Sequence, residues 1–180
     1  MQFQINKDKV LIVDFGSQVT KLIARRVREL GIYSEIITPN DLIKLKDYRN
    51  IKGLILSGGP STVTGEKFQS VPKELFKKKI PILGICYGLQ LIAKLFGGKI
   101  RSSYKRREFG RATLFKKKAS LLIKNYLNVR RSVWMSHEDA VVKLPKKFKT
   151  IASTIDSKFT IIENSLEKIY GVQFHPEVTH

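Results

Sequence analysis

One cysteine in 180 residues, Cys86, rules out any disulfide within the chain and, with it, the stapled folds of small exported proteins. Long apolar runs are missing as well. "VLIVDF" and "IPILGIC" fall far short of the roughly 20 residues a helix needs to cross a bilayer. The opening "MQFQINKDKVLIVDF" mixes charge into its first residues and has no signal-like apolar core with a small-residue cleavage site. These absences predict a cytoplasmic protein with no membrane partner. Acidic residues are scarce: 15 Asp+Glu stand against 34 Lys+Arg, a formal net charge of +19. That balance raises nucleic acid as a partner. The basic residues are scattered, however, over Lys77 to Lys79, Lys116 to Lys118, and Lys146, Lys147 and Lys149, without interleaved aromatics. No zinc-finger spacing, aromatic RNA-binding signature or basic-region heptad accompanies them. A lysine-rich solvated face is the simpler reading, with a catalytically idle nucleic-acid binder as the alternative.

What remains is a sequence with 42% hydrophobic residues, enough for a single domain over 1–180 that buries roughly 70% of its unfolded surface. Strand-like runs alternate with helical ones. "KVLIVDF" leads to Gly16-Ser17 and then "TKLIARRVREL", with Leu22, Ile23, Val27 and Leu30 on one helical face and Gly31 as the stop. "IYSEIIT" and "GLILSGGP" read as the next strands, "VPKELFKKK" as a short helix with proline near its start, and "IPILGIC" as a fourth strand. "GLQLIAKLFGG" is a helix stopped by Gly97 and Gly98, after which "GRATLF", "RSVWMS", "KTIAST", "FTIIEN" and "KIYGVQF" have strand composition. Strand then helix with short turns predicts a three-layer α/β fold, a mostly parallel central sheet with helices on both faces.

In such sheets ligands gather where strand C-termini open into loops. Three such loops hold unusual residues: Ser57-Gly58-Gly59-Pro60, Gly84-Ile85-Cys86-Tyr87-Gly88, and His175-Pro176-Glu177. Glycines two before and two after a nucleophile suit a sharp strand-to-helix elbow, whose tight backbone leaves no room for side chains. The elbow lifts Cys86 to the sheet edge beside a helix N-terminus, whose dipole favours an anion. A free cysteine is more often a small buried hydrophobe, and the elbow glycines shift that balance toward catalysis. Of the three histidines, His180 is terminal. His175 has Glu177 two residues on, where an extended backbone would point both side chains the same way and let the carboxylate hold the ring's tautomer. His137, in "WMSHEDA", reads better as a loop histidine making structural hydrogen bonds than as a base. For the oxyanion of acyl chemistry, the N–H of Tyr87 and one from the Ser57-Gly58-Gly59 loop are candidate donors. Neither a Walker-type loop nor a dinucleotide fingerprint is present, so no ATP site is expected.

"GICYGLQ", "SGGP" and "GVQFHPE" together resemble the three motifs of class I, triad-type glutamine amidotransferase domains, in that family's order and over nearly the whole chain. "DFGSQVTKLIARRVRELG", "ILSGGPSTV", "REFGRA" at Arg107 to Ala112, "VWMSH" and "HPEVTH" are similar in particular to the amidotransferase domain of glutamine-hydrolysing GMP synthetases. The resemblance implies a flavodoxin-like core and a catalytic Cys86, His175 and Glu177, with Gly59 and Tyr87 as oxyanion donors. It implies glutamine contacts at Gly58, Gln90, Ser136 and His137. It also implies ammonia delivery to a synthetase (ATP-pyrophosphatase) domain that aminates XMP to GMP, with an amidotransferase serving another acceptor as the alternative. This domain itself would need no metal or cofactor, ATP and magnesium belonging to the synthetase. Beyond His180 the family continues with a further helix and then that synthetase domain. The family has an aromatic residue where this chain has Val19, and glycine where it has Glu138. A left-handed backbone there would make Glu138 cost about 1–2 kcal/mol.

Overall fold

The computed structural model describes residues 8–102, 108–124 and 131–178; of the motifs quoted above, Arg107, Thr179 and His180 lie outside the described residues. Among the described residues, eleven strands and three α-helices follow in the order β1 (Lys9–Val13), α1 (Thr20–Glu29), β2 (Ser34–Ile37), α2 (Pro39–Lys44), β3 (Ile51–Leu56), β4 (Ile82–Ile85), α3 (Tyr87–Leu95), β5 (Lys99–Ser102), β6 (Glu108–Lys116), β7 (Arg131–His137), β8 (Asp139–Lys143), β9 (Lys149–Ser153), β10 (Ile161–Asn164) and β11 (Ile169–Val172). Nine strands form one sheet in the order β2-β1-β3-β4-β11-β10-β9-β6-β7. It is parallel from β2 through β11 and antiparallel from there to β7. The remaining strands, β5 and β8, pair as a separate antiparallel ribbon.

The period-2 alternation of the strands builds two cores, one on each sheet face. From β1, Leu11 and Val13 join one core together with Leu42 of α2 and Leu89, Leu91 and Ile92 of α3. Ile12 points the other way, to the core that contains Ile23 and Ala24 of α1. Helices therefore cover both faces, as the alternating pattern predicts. Two local expectations change. "VPKELFKKK" forms a 3-10 helix over Lys73–Lys78, and α1 stops at Glu29, which leaves Leu30 77% exposed, off the buried stripe. Gly31, with φ 76°, ends α1 by donating its N–H to the Arg28 carbonyl. Helix α2 was not legible from periodicity: at six residues it is too short to show any, and it rests on Thr38 capping the Asp41 N–H at 3.1 Å, Pro39 at its first position, and a fully buried Leu42. Among the described residues no helix is long and apolar enough to cross a membrane.

Candidate active site

Strand β4 ends at Ile85, α3 begins at Tyr87, and Cys86 alone makes the corner with φ 51° and ψ −103°. A non-glycine residue held there is strained by about 1–3 kcal/mol and persists only where its surroundings over-determine it. They do. The Cys86 N–H donates to the Val172 carbonyl of β11 at 2.8 Å, and the Gly88 N–H to the Ser57 carbonyl at 3.2 Å. The flanking glycines have the role expected of them. A Cβ on Gly84 would lie 2.5 Å from the Gly88 backbone, and one on Gly88 would lie 2.2 Å from the Leu56 carbonyl oxygen. The elbow is thus pressed against the end of β3 with no space for a methyl group.

His175 arrives from beyond the end of the neighbouring strand. Val172 of β11 pairs in register with Ile85 of β4, so the residues just beyond each strand emerge side by side. His175 is anchored by its own N–H to the Trp134 carbonyl at 3.0 Å, and its Nδ1 lies 2.8 Å from Glu177 Oε1. The local geometry differs from the extended one expected: Pro176-Glu177 is a turn, closed by the Val178 N–H on the His175 carbonyl. The turn folds the carboxylate back onto the ring. Burial of His175 opposes its charged form, but hydrogen bonds and charge from Cys86 and Glu177 outweigh this and lift it from 6.5 to about 10. The ring therefore stands between a carboxylate and the cysteine sulfur, a setting that favours its protonated form. Glu177 is buried, with Oε2 unpartnered, and its backbone carbonyl accepts from Arg26 Nε at 3.3 Å.

Cys86 lies between two clefts. One, of about 490 Å³, is bordered by Gly59, Tyr87, Gln90, Ser136, His137 and Glu138, among others. The other, of about 360 Å³, opens on the His175 side past Ser17, Val19, Trp134 and Val178. Gly59, Pro60, Cys86 and Ser136 belong to both. The Cys86 thiol donates to the Ser136 carbonyl at 3.6 Å. Gly58 is not on the cleft wall but behind the base, where a Cβ would stand 3.1 Å from His175 Cε1. Gln90 donates through Nε2 to the Asp139 carbonyl at 2.8 Å, so its amide oxygen is the atom left for a ligand.

His137 is brought to the first cleft but not to the sulfur. It is buried, with Nε2 3.2 Å from Glu108 Oε2, while Glu108 Oε1 accepts from the Thr154 hydroxyl at 2.7 Å. The structural hydrogen bond expected of it is made, but from the last residue of β7 rather than from a loop, and Nδ1 is left without a partner among the described residues. Glu138 is exposed on the cleft rim with negative φ, so the left-handed strain anticipated for it does not arise. Asp139, bonded to the Thr62 hydroxyl, and Gln173, whose Nε2 reaches Cys86 Sγ at 3.7 Å, are the site residues that motif reading missed. Gln173 had a signal: it lies two positions before His175 at the end of a strand. Among the described residues no cluster of His, Cys, Asp or Glu could hold a metal ion.

Residues 11–180 match the family described as Glutamine amidotransferase class-I. The chain is 48% identical to the GMP synthase [glutamine-hydrolyzing] of Fusobacterium nucleatum over 98% of its length and 44% identical to that of Borrelia garinii over 99%. It spans about a third of those relatives, 34% and 33% of their lengths. Among solved structures, a proposed GMP synthase subunit from Thermoplasma acidophilum superposes with a TM-score of 0.80 at 30% identity, covering 96% of this chain and 85% of that one. A glutamine amidotransferase from Thermotoga maritima, at 23% identity and TM-score 0.76 over 94% of this chain and 76% of its own, shares the fold. An elbow cysteine, a histidine and carboxylate just beyond the adjoining strand, and this likeness over nearly the whole sequence lead to one assignment: the chain belongs to the class I glutamine amidotransferase family.

Proposed function

We propose that this chain is a glutaminase module that hydrolyses the side-chain amide of L-glutamine and hands the ammonia to a synthetase partner. The observation that carries the reading is the line Cys86, His175, Glu177, drawn across two paired strands. In the first step the Cys86 proton resides on His175, and the sulfur attacks the amide carbon of glutamine. The N–H groups of Gly59 and Tyr87 receive the negative oxygen of the tetrahedral intermediate. That intermediate collapses as the C–N bond breaks, and His175 gives its proton to the departing nitrogen, releasing ammonia and leaving a thioester. Neutral His175 then takes a proton from water as the water attacks the thioester carbon, and the C–S bond breaks to release glutamate. Glu177 holds Nδ1 throughout, so that the opposite nitrogen serves the sulfur. Substrate glutamine occupies the 490 Å³ cleft, with Gln90, Ser136, His137 and the Gly58 loop as its contacts.

The printed names of the relatives supply the acceptor. They are glutamine-hydrolysing GMP synthases about three times as long as this chain, and we place the amination of XMP to GMP, with its ATP and magnesium, in a synthetase domain or subunit outside it. Treatment with a glutamine-mimicking electrophile, read by intact mass, tests the reading. It requires one adduct on Cys86, suppressed by free glutamine and lost in Cys86→Ala. An adduct that glutamine does not suppress, or that survives in Cys86→Ala, refutes it.

A further inference from the structure

The steps above leave Gln173 idle, although its side chain touches the reacting sulfur. Gln173 follows β11 directly, is 1% exposed, and holds its backbone N–H on the Thr160 carbonyl at 2.8 Å. Its Oε1 accepts from Gln90 Nε2 at 3.5 Å, and its Nε2 donates to Cys86 Sγ at 3.7 Å. The direction of this chain is forced. Gln90 must turn its nitrogen inward, because the Asp139 carbonyl it meets at 2.8 Å can only accept. Gln173 must then show oxygen to Gln90 and nitrogen to the sulfur. Donors run one way, from the wall of the substrate cleft to the nucleophile.

The sulfur also faces the Ser136 carbonyl at 3.6 Å. That oxygen welcomes an S–H proton and repels a negative sulfur, so an anionic Cys86 needs a compensating donor. His175 is one such donor, but its proton leaves during the reaction. The Gln173 amide does not titrate and stays a donor at every step.

We propose that Gln173 is a further catalytic residue, whose side-chain N–H stabilises the anionic sulfur of Cys86 and links it to Gln90 on the substrate side. As the S–H proton passes to His175, the new charge on sulfur is met by this N–H. It weakens as the sulfur bonds to the amide carbon, and it receives the charge again when the C–S bond of the thioester breaks. The substrate assignment rests on the glutaminase reading; the donor geometry does not.

Alkylation of Cys86 by iodoacetamide, followed by intact mass across about pH 5 to 9, measures the reactive anion without any glutamine turnover. Gln173→Met keeps the length and removes the donor, and Gln173→Asn withdraws it by one methylene. Both should move the alkylation profile upward by about one pH unit and slow the reaction about tenfold near neutrality, the size expected for a lost hydrogen bond to a charge. The rate at the high-pH plateau should not fall below the wild-type value, since a thiolate of higher pKa is intrinsically the better nucleophile. A merely structural role would leave the profile in place, so an unmoved profile in either variant with native circular dichroism overturns the proposal. Should Gln173→Met lose that signal, Gln173→Asn decides. If the profile moves but glutamine fails to protect the wild type, the glutaminase reading falls and the role of Gln173 stands. If glutamine protects and the profile does not move, the reverse holds.

Discussion

Gly88→Ala is the sharpest perturbation of the elbow, because the added methyl group meets backbone rather than a yielding side chain. Its Cβ would stand 2.2 Å from the Leu56 carbonyl oxygen and 2.9 Å from both the carbonyl carbon and Cβ of Leu56. To open the first contact even to 3.0 Å, α3 and the end of β3 must part by about 0.8 Å in an interior packed to crystal density. The Gly88 N–H to Ser57 carbonyl bond, already 3.2 Å, lengthens with them. Overpacking of this kind costs about 1–3 kcal/mol, which in a chain of this size lowers the melting temperature by roughly 3–10 °C. The chemical consequence is larger than the thermal one. Cys86 is carried on the same elbow, and misplacing a reacting group by about 1 Å costs on the order of a hundredfold in rate. The assay pairs thermal unfolding with the rate of Cys86 labelling by the glutamine mimic. Gly88→Ala should melt lower and label at least tenfold more slowly. Labelling and melting both at wild-type values would mean that the elbow is not pressed against β3, and the account of its glycines would fail.

Three further outcomes follow from the same geometry. Gly58→Ala sets a methyl group 3.1 Å from His175 Cε1 but near no backbone, so labelling should slow by a few-fold to about tenfold while melting stays within about 2 °C of wild type; a loss of stability without loss of rate would contradict this. Cys86→Gly should melt roughly 2–6 °C above Cys86→Ala, since glycine alone is at ease at φ 51°, and equal melting points would deny that the corner is strained. Folded His175 holds its proton up to about 10 against an ordinary 6.5, so its contribution to stability is whole below about 6.5 and is lost as pH rises through 10. Glu177→Gln removes one of the groups that raise it, and the melting-point gap between wild type and this variant should therefore be wide near pH 6 and close toward pH 10. A gap that does not change with pH would show that the pair holds no extra proton.

The parts legible in the sequence were those where one residue type has one physical use. Glycine on both sides of Cys86 announced a corner, and the alternation of apolar strands with periodic helices announced a layered sheet. His175 and Glu177 were found by spacing, although a turn rather than an extended backbone brings them together. What was hidden depends on partners far away in sequence. Nothing near His137 reveals that Glu108, itself held by the Thr154 hydroxyl, partners its Nε2, because β6 and β9 meet only through the final sheet. The β5–β8 ribbon was missed because β5, KIRS, carries a single apolar residue and so shows no alternation, and because only Glu138 separates the start of β8 from the end of β7. It matters to the site all the same: Ser102 and Asp139, paired across its end, both line the cleft beside Cys86.

The insertion of β11 between β4 and β10 has a bearing on how the chain comes into being. The parallel group β2-β1-β3-β4 is made entirely from residues up to Ile85, so it can begin to assemble early in synthesis, with Cys86 already at its rim. Until β11 arrives, β4 is an open edge, the Cys86 N–H lacks the Val172 carbonyl, and neither His175 nor Glu177 exists beside the thiol. A growing chain thus carries an unarmed cysteine. The same strand that closes the sheet brings His175 and Glu177 to the sulfur, so the assembled site and the completed fold appear in a single event.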